Sequence, residues 1–237
     1  MMLSRLIVDF LEYLEVSSNV SLFTIRNYNH YLKRFSDFCG DIVPMDINPE
    51  LIKKYRLYLS TWVDPRTKKT LKKITQNYFM IAIRAFLRYL EDQNIEVLSP
   101  EKVELRKQER LPVKVLDEEA LQQLFDGPVT NKKEGLRDRA ILETLFLTGH
   151  RASELVSLNK GEFSSFWVEK YLSQRKDAFK PLFIRFQGKI NPEQDGESMR
   201  LTPRSIQRIV EKYVKITGLT VKATPQTLRQ LHRSRFS

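Results

Sequence analysis

The sequence predicts a mainly α-helical protein built as two domains. Three observations carry this. Apolar residues recur at three- and four-residue spacing through most of the chain. Prolines and glycines stand at the ends of several of those stretches, where helices start and stop. A charged segment with two prolines, LSPEKVELRKQERLPVKVLDEEA, parts the pattern in two. With 237 residues the chain is long enough for two ordinary domains. The expected division is a helical domain over 1–105, a linker over 106–112 and a second domain over 113–237.

Taken in order, Leu3, Leu6, Ile7, Phe10, Leu11 and Leu14 mark a first helix. The loop SSNVS follows, with Ser21 as a possible N-cap. The second helix puts Ile25, Tyr28, Leu32, Phe35 and Phe38 on one stripe and stops at Gly40. Asn48-Pro49 opens a third, through Leu51, Tyr55, Tyr58 and Leu59 to about Trp62. A fourth covers about Ile74 to Asp92, with Tyr78, Ile81, Ala82, Ala85, Phe86, Tyr89 and Leu90 inward. Beyond the linker, DEEALQQLFDG reads as a short capped helix. KEGLRDRAILETLFLTG reads as a longer one, with Leu136, Ala140, Ile141, Leu145 and Leu147 apolar. A turn and a short helix follow in HRASELVSLN. WVEKYLSQRKDAFKPLFIRF reads as a helix and then an extended apolar segment. Pro203 starts an amphipathic helix with Ile206, Ile209, Val210, Tyr213 and Val214 inward, ending at Gly218; TPQTLRQL starts the last.

Charge points to a partner. Lysine and arginine number 40 against 29 acids, a net charge of +11. Residues 1–112 carry 18 basic and 14 acidic side chains, and the remainder 22 and 15, so both halves are basic. A polyanion gripped by both domains fits this balance, because phosphates attract Lys and Arg by releasing counterions; a basic surface without a ligand is the plainer alternative. The densest run, RTKKTLKK, sets Arg66, Lys68, Lys69, Lys72 and Lys73 just before the fourth helix, where a phosphate has room to sit. Cys39 is the only cysteine, and His30, His150 and His232 are not at metal-ligand spacing, so neither an intramolecular disulfide nor a metal site is expected. No run of about 18 apolar residues offers a membrane span. The acids within the first apolar stretch do not suit a signal peptide, and a cytoplasmic place is expected.

Two segments stand out, TGHRASELVSL (148–158) and TPQTLRQ (224–230). Each sets an arginine just inside a helix that follows a tight turn. Two guanidinium forks and helix N-termini can converge on one phosphate, though an arginine near a helix end is also a common surface charge. LFLTGHRASELVSL is similar to the segment of the tyrosine recombinases, or phage integrase family, that bears a first catalytic arginine. RLTPRSIQRIVEKYVKITGLTVKATPQTLRQ resembles the segment leading to the second. SLFTIRNYNHYLKRFSDFCG and ITQNYFMIAIRAFLRYLEDQNI resemble the family's SAM-like core-binding domain, and ERLPVKVLDEEALQQLF its linker and entry to the catalytic domain. The likeness runs in order along nearly the whole chain and is nearest to the Xer-like branch.

The resemblance implies a SAM-like helical core-binding domain followed by a mostly helical catalytic domain. It implies cleavage by a tyrosine hydroxyl that attacks a phosphodiester, with no metal and no nucleotide cofactor. By resemblance Arg151 is the first arginine, Glu154 the acidic residue three positions later that helps orient the site, Arg229 the second arginine, and Gln226 stands where the family has His or Lys. Glutamine donates a hydrogen bond but is no proton-transfer base. The stretch between Gly161 and Val168 is too short for the family's lysine-bearing hairpin. Lys160, Lys170 and Lys189 do not fall in such a pattern, and no tyrosine follows Arg229. The sequence therefore reads as a C-terminally truncated member. The expected function is duplex DNA binding in site-specific recombination or integration, with catalysis impaired. Homo-oligomerisation on DNA is expected to be weakened by loss of the exchanged terminal helix. A non-catalytic accessory or decoy at recombination sites is the alternative, and a basic helical scaffold or RNA-binding protein a third.

Overall fold

A computed structural model describes residues 1–17, 20–106, 116–221 and 223–236. Ser18 and Asn19 of the expected loop, and the expected linker apart from Arg106, lie outside the described residues. The chain divides into two units, Met1–Arg110 and Leu111–Ser237. Both are helical, and the described residues hold no β-sheet, only three isolated bridges.

The first unit is built from α1 (Leu3–Ser17), α2 (Leu22–Cys39), α3 (Pro49–Thr61) and α4 (Lys73–Asp92). Local chemistry sets the starts. The Ser21 hydroxyl accepts from the Thr24 N–H at 3.2 Å, and the Asn48 side-chain Oδ1, one residue before Pro49, accepts from the Leu51 N–H at 2.9 Å. Helix α1 buries Leu3, Leu6, Ile7, Phe10 and Leu14. Helix α4 departs from its expected face. Tyr78 is 44% exposed, and Ile81, Ala85 and Tyr89 are only partly covered, while Phe79, Met80, Ile83 and Leu87 join Ala82, Phe86 and Leu90 inside. The cause is position: α1, α2 and α3 all pack on α4, so it buries more than one stripe. Rings fill the interior. Phe10 meets Phe86 at 5.6 Å and Tyr89 at 5.3 Å between centroids, and Phe35 meets Tyr55 edge-on at 5.0 Å.

The second unit contains α5 (Glu118–Asp126), α6 (Lys133–Thr148), α7 (Ala152–Ser157), α8 (Phe166–Ser173), α9 (Pro203–Ile216) and α10 (Pro225–Phe236). Helix α6 is the hub, touched by α5, α7, α8, α9 and α10. It therefore buries polar groups with its leucines: Asp138, Arg139 and Thr144 are as hidden as Ala140 or Leu145. Leu147, expected inward, is 44% exposed. The last turn of α6 points Phe146 to the core instead, and the next residue lies about 100° further round. Helix α9 ends at Ile216, and Gly218 takes the left-handed φ of 68° two residues on.

The expected extended segment after α8 is not a strand. Leu182, Phe183 and Ile184 are buried, but only the single bridges Asn159↔Pro181 and Ile184↔Arg200 join them to neighbours. Two arginines supply the order that a ladder would. Arg175, with its side chain 2% exposed, donates to the carbonyls of Pro181 at 2.7 Å and Leu182 at 2.8 Å and pairs with Asp177. Arg200 donates to the Val156 carbonyl at 2.7 Å, the Leu158 carbonyl at 3.0 Å and the Asn159 side-chain oxygen at 2.8 Å. Val156 belongs to the last turn of α7, and Leu158 and Asn159 follow it directly, so Arg200 fastens that helix from its C-terminal side.

Candidate phosphate-binding site

The turn between α6 and α7 is fixed by Gly149. Its φ of 62° is left-handed, and its N–H closes α6 on the Leu145 carbonyl at 3.1 Å. A Cβ there would meet His232 Cδ2 at 2.5 Å, so glycine also lets α10 press against the turn. Arg151 follows in extended backbone, immediately before α7. Its N–H donates to Glu154 Oε2 at 2.7 Å and its guanidinium to Oε1 at 2.8 Å. Those two bonds, led by the backbone one, with Arg229 farther off, hold the Glu154 carboxyl below its ordinary value.

The sequence TPQT starts α10. Thr224 and Thr227 cap each other: the Thr227 N–H donates to Thr224 Oγ1 at 3.1 Å, and the Thr224 N–H to Thr227 Oγ1 at 3.2 Å. Leu228 and Leu231 are buried, which turns Gln226, Arg229, Gln230 and Arg233 to the opposite face. The sequence reading set each arginine just inside a helix that follows a turn. Arg151 stands instead just before α7 as its N-cap, but Arg229 does lie inside, one turn into α10, which the threonine cap begins at Pro225. Arg229 therefore offers its guanidinium and not a free backbone N–H.

These elements enclose a hollow of about 640 Å³ lined by Arg151, Gln226 and Arg229, together with Gln207 and Glu211 of α9 and Arg233 of α10. Arg229 Nε is buried and has no hydrogen-bond partner among the described residues. A hidden donor in a cationic hollow suits an anionic acceptor. Sequence reasoning did not name Gln207, Glu211, Gln230 or Arg233. Helical spacing held the signal: 226, 229, 230 and 233 fall on one face, and 207 and 211 on the polar side of α9.

Other candidates lie elsewhere. Lys160 donates to the Asp177 carbonyl at 2.9 Å, and Lys170 lies over the Trp167 ring at 4.9 Å. Neither they nor Lys189 line the hollow. His232 packs under Gly149 and against the Phe236 ring, 5.0 Å between centroids. Tyr171 and Tyr213, the tyrosines of the second unit, are buried. Tyr213 donates to Asp138 at 2.8 Å, and burial followed by the Asp138 charge raises its pKa. Among the described residues no three His, Cys, Asp or Glu side chains gather as a metal's ligands. No helix among them is long and apolar enough to cross a membrane.

In the first unit, Arg66, Lys68 and Lys69 occupy a tight turn closed by the Val63↔Thr70 bridge. Asp64 organises it, accepting from the Arg66 N–H at 2.8 Å on its side chain and from the Lys68 N–H at 2.8 Å on its carbonyl. Lys72 and Lys73 begin α4, and all five cations are exposed.

Comparison with known proteins places the chain in a family. Residues 6–100 match the phage integrase SAM-like domain. The chain is 30% identical to tyrosine recombinase XerC of Pelotomaculum thermopropionicum, over 93% of this chain and 81% of that one. The chain belongs to the Xer-type tyrosine recombinases. Tyrosine recombinase XerC of Syntrophus aciditrophicus is a further relative, 26% identical over 96% of this chain and 82% of its own. The recombinase fold also extends to solved structures. A lambda integrase (75–356) dimer bound to a COC' core site covers 99% of the chain and 89% of its own, with a TM-score of 0.72 at 12% identity. The Tn1549 transposon integrase with circular intermediate DNA covers 100% and 87%, with a TM-score of 0.69 at 16% identity.

Proposed function

We propose that this recombinase-family chain binds duplex DNA in site-specific recombination, with one backbone phosphate held in the hollow between Arg151 and Arg229. One observation carries the reading: two arginines far apart in sequence line one hollow, and the Nε of the second is buried without an acceptor. The guanidiniums take the phosphate oxygens, Gln226 donates a further hydrogen bond, and Glu154 keeps Arg151 aimed. Residues 1–105 serve as the core-binding domain, with Arg66, Lys68, Lys69, Lys72 and Lys73 on the backbone, and 113–237 as the catalytic-type domain. A DNA partner and two basic halves favour a cytoplasmic place.

In the second unit, both tyrosines are committed to the core. Neither can then act as a nucleophile on a phosphate in the hollow, so residues 1–237 are expected to occupy DNA without cutting it. Duplex titrations across a salt series and a suicide substrate that traps phosphotyrosine test both parts. Affinity is expected to fall steeply with salt, and no covalent adduct to form. Salt-independent binding refutes the DNA reading, and an adduct refutes the non-cutting one.

A further inference from the structure

We propose that Arg233 holds a second phosphate, the neighbour on the same strand of the one taken by Arg151 and Arg229. This rests on reading the hollow as a phosphate site and goes beyond it. Arg233 lines the same hollow, on the same face of α10, one turn beyond Arg229. A single phosphodiester offers two non-bridging oxygens, and two guanidinium forks already meet them, so a third arginine needs another acceptor.

The dimensions allow one. Arg229 and Arg233 stand four residues apart on the helix, about 6 Å at 1.5 Å each. A DNA strand advances only about 3.4 Å along its axis per phosphate. The charge also fits, with three arginines against one carboxylate, Glu211, on the lining. Arg235, two residues on, is engaged elsewhere: it lies 3.6 Å from Glu118 and 5.6 Å from the centre of the Phe146 ring. Arg233 has no carboxylate within ion-pair range among the described residues. It is exposed, so its replacement leaves the core untouched.

The test is fluorescence anisotropy of the whole chain on a labelled duplex across a potassium chloride series. Arg233→Ala is expected to flatten the slope of log affinity against log salt by about 0.9. Arg233→Lys is expected to keep the slope, because its charge still displaces a counterion. An Arg229→Ala and Arg233→Ala double variant is expected to lose the sum of the single effects, since the residues serve different phosphates. If Arg229→Ala flattens the slope and Arg233→Ala does not, this proposal falls while the phosphate site stands. Equal flattening by Arg233→Lys and Arg233→Ala overturns it too, pointing to packing. If Arg151→Ala, Arg229→Ala and Arg233→Ala all leave the slope unchanged, the phosphate site falls with it.

Discussion

The deepest side chains of the first unit are rings and aliphatics: Phe35, Tyr55, Phe79 and Phe86 are essentially inaccessible, and Asn77 is the buried polar residue among them. In the second unit charges are hidden as well. Asp138 accepts from Arg137 at 2.6 Å, Tyr213 at 2.8 Å and Lys212 at 3.4 Å. Arg139 sits between Asp126 at 3.0 Å and Glu143 at 2.8 Å, with the Phe125 and Trp167 rings 5.1 and 5.0 Å away. Arg175 and Arg200 fasten backbone where no ladder runs. The first unit can be assembled from amphipathic helices alone. The second brings two arginines into one hollow by irregular connections, and those need polar fasteners.

Substitutions can break that contrast. Phe86→Ala should cost about 3–5 kcal/mol in urea unfolding, as for any large ring removed from a tight core. Asp138→Ala should cost about 3 kcal/mol, through a different mechanism: it strands the Arg137 charge and the Tyr213 hydroxyl. Asp138→Asn should recover part of that loss, because the amide oxygen still accepts. If Asp138→Ala proves neutral, the network does not hold the second unit together.

Acid should act on the second unit's loop. The hydrogen bonds from Arg175, then its charge, hold the Asp177 carboxyl at about 2 against an ordinary 3.8. A depressed folded-state value means the stabilisation is complete above the unfolded value and is lost as pH falls from about 4 toward 2. Hydrogen exchange over residues 175–184 should quicken in that window, and in Asp177→Asn the window should vanish. The smallest effect is expected at Glu211, an exposed carboxylate on the hollow's lining. Glu211→Gln should tighten duplex binding by about 0.5 kcal/mol by removing repulsion, read from the same anisotropy titration.

Legibility follows the same divide. Helix starts were readable wherever a cap or proline marks them, as at Asn48-Pro49, Asp117 and Thr202-Pro203. The face of α4 was not, because a helix packed by three others carries apolar residues on several sides. Nor was the burial of Asp138, Arg139 and Arg175: their partners at 213, 126 and 182 are neighbours only after folding. At the hollow, Arg151, Gln226 and Arg229 were named from motif likeness, whereas Arg233 and Glu211 needed the packing of α9 against α10. The missing ladder between 159 and 200 was legible only as a shortage of residues, and the arginines that replace it were not.

The central claim is that Arg151 and Arg229 hold one and the same phosphate, and a double-mutant cycle on duplex binding addresses it directly. Arg151→Ala and Arg229→Ala should each weaken binding by about 1–3 kcal/mol. The double variant should lose clearly less than the sum, with a coupling on the order of 1 kcal/mol, because the two guanidiniums share an acceptor. Strict additivity, or no effect from either substitution, would contradict the claim.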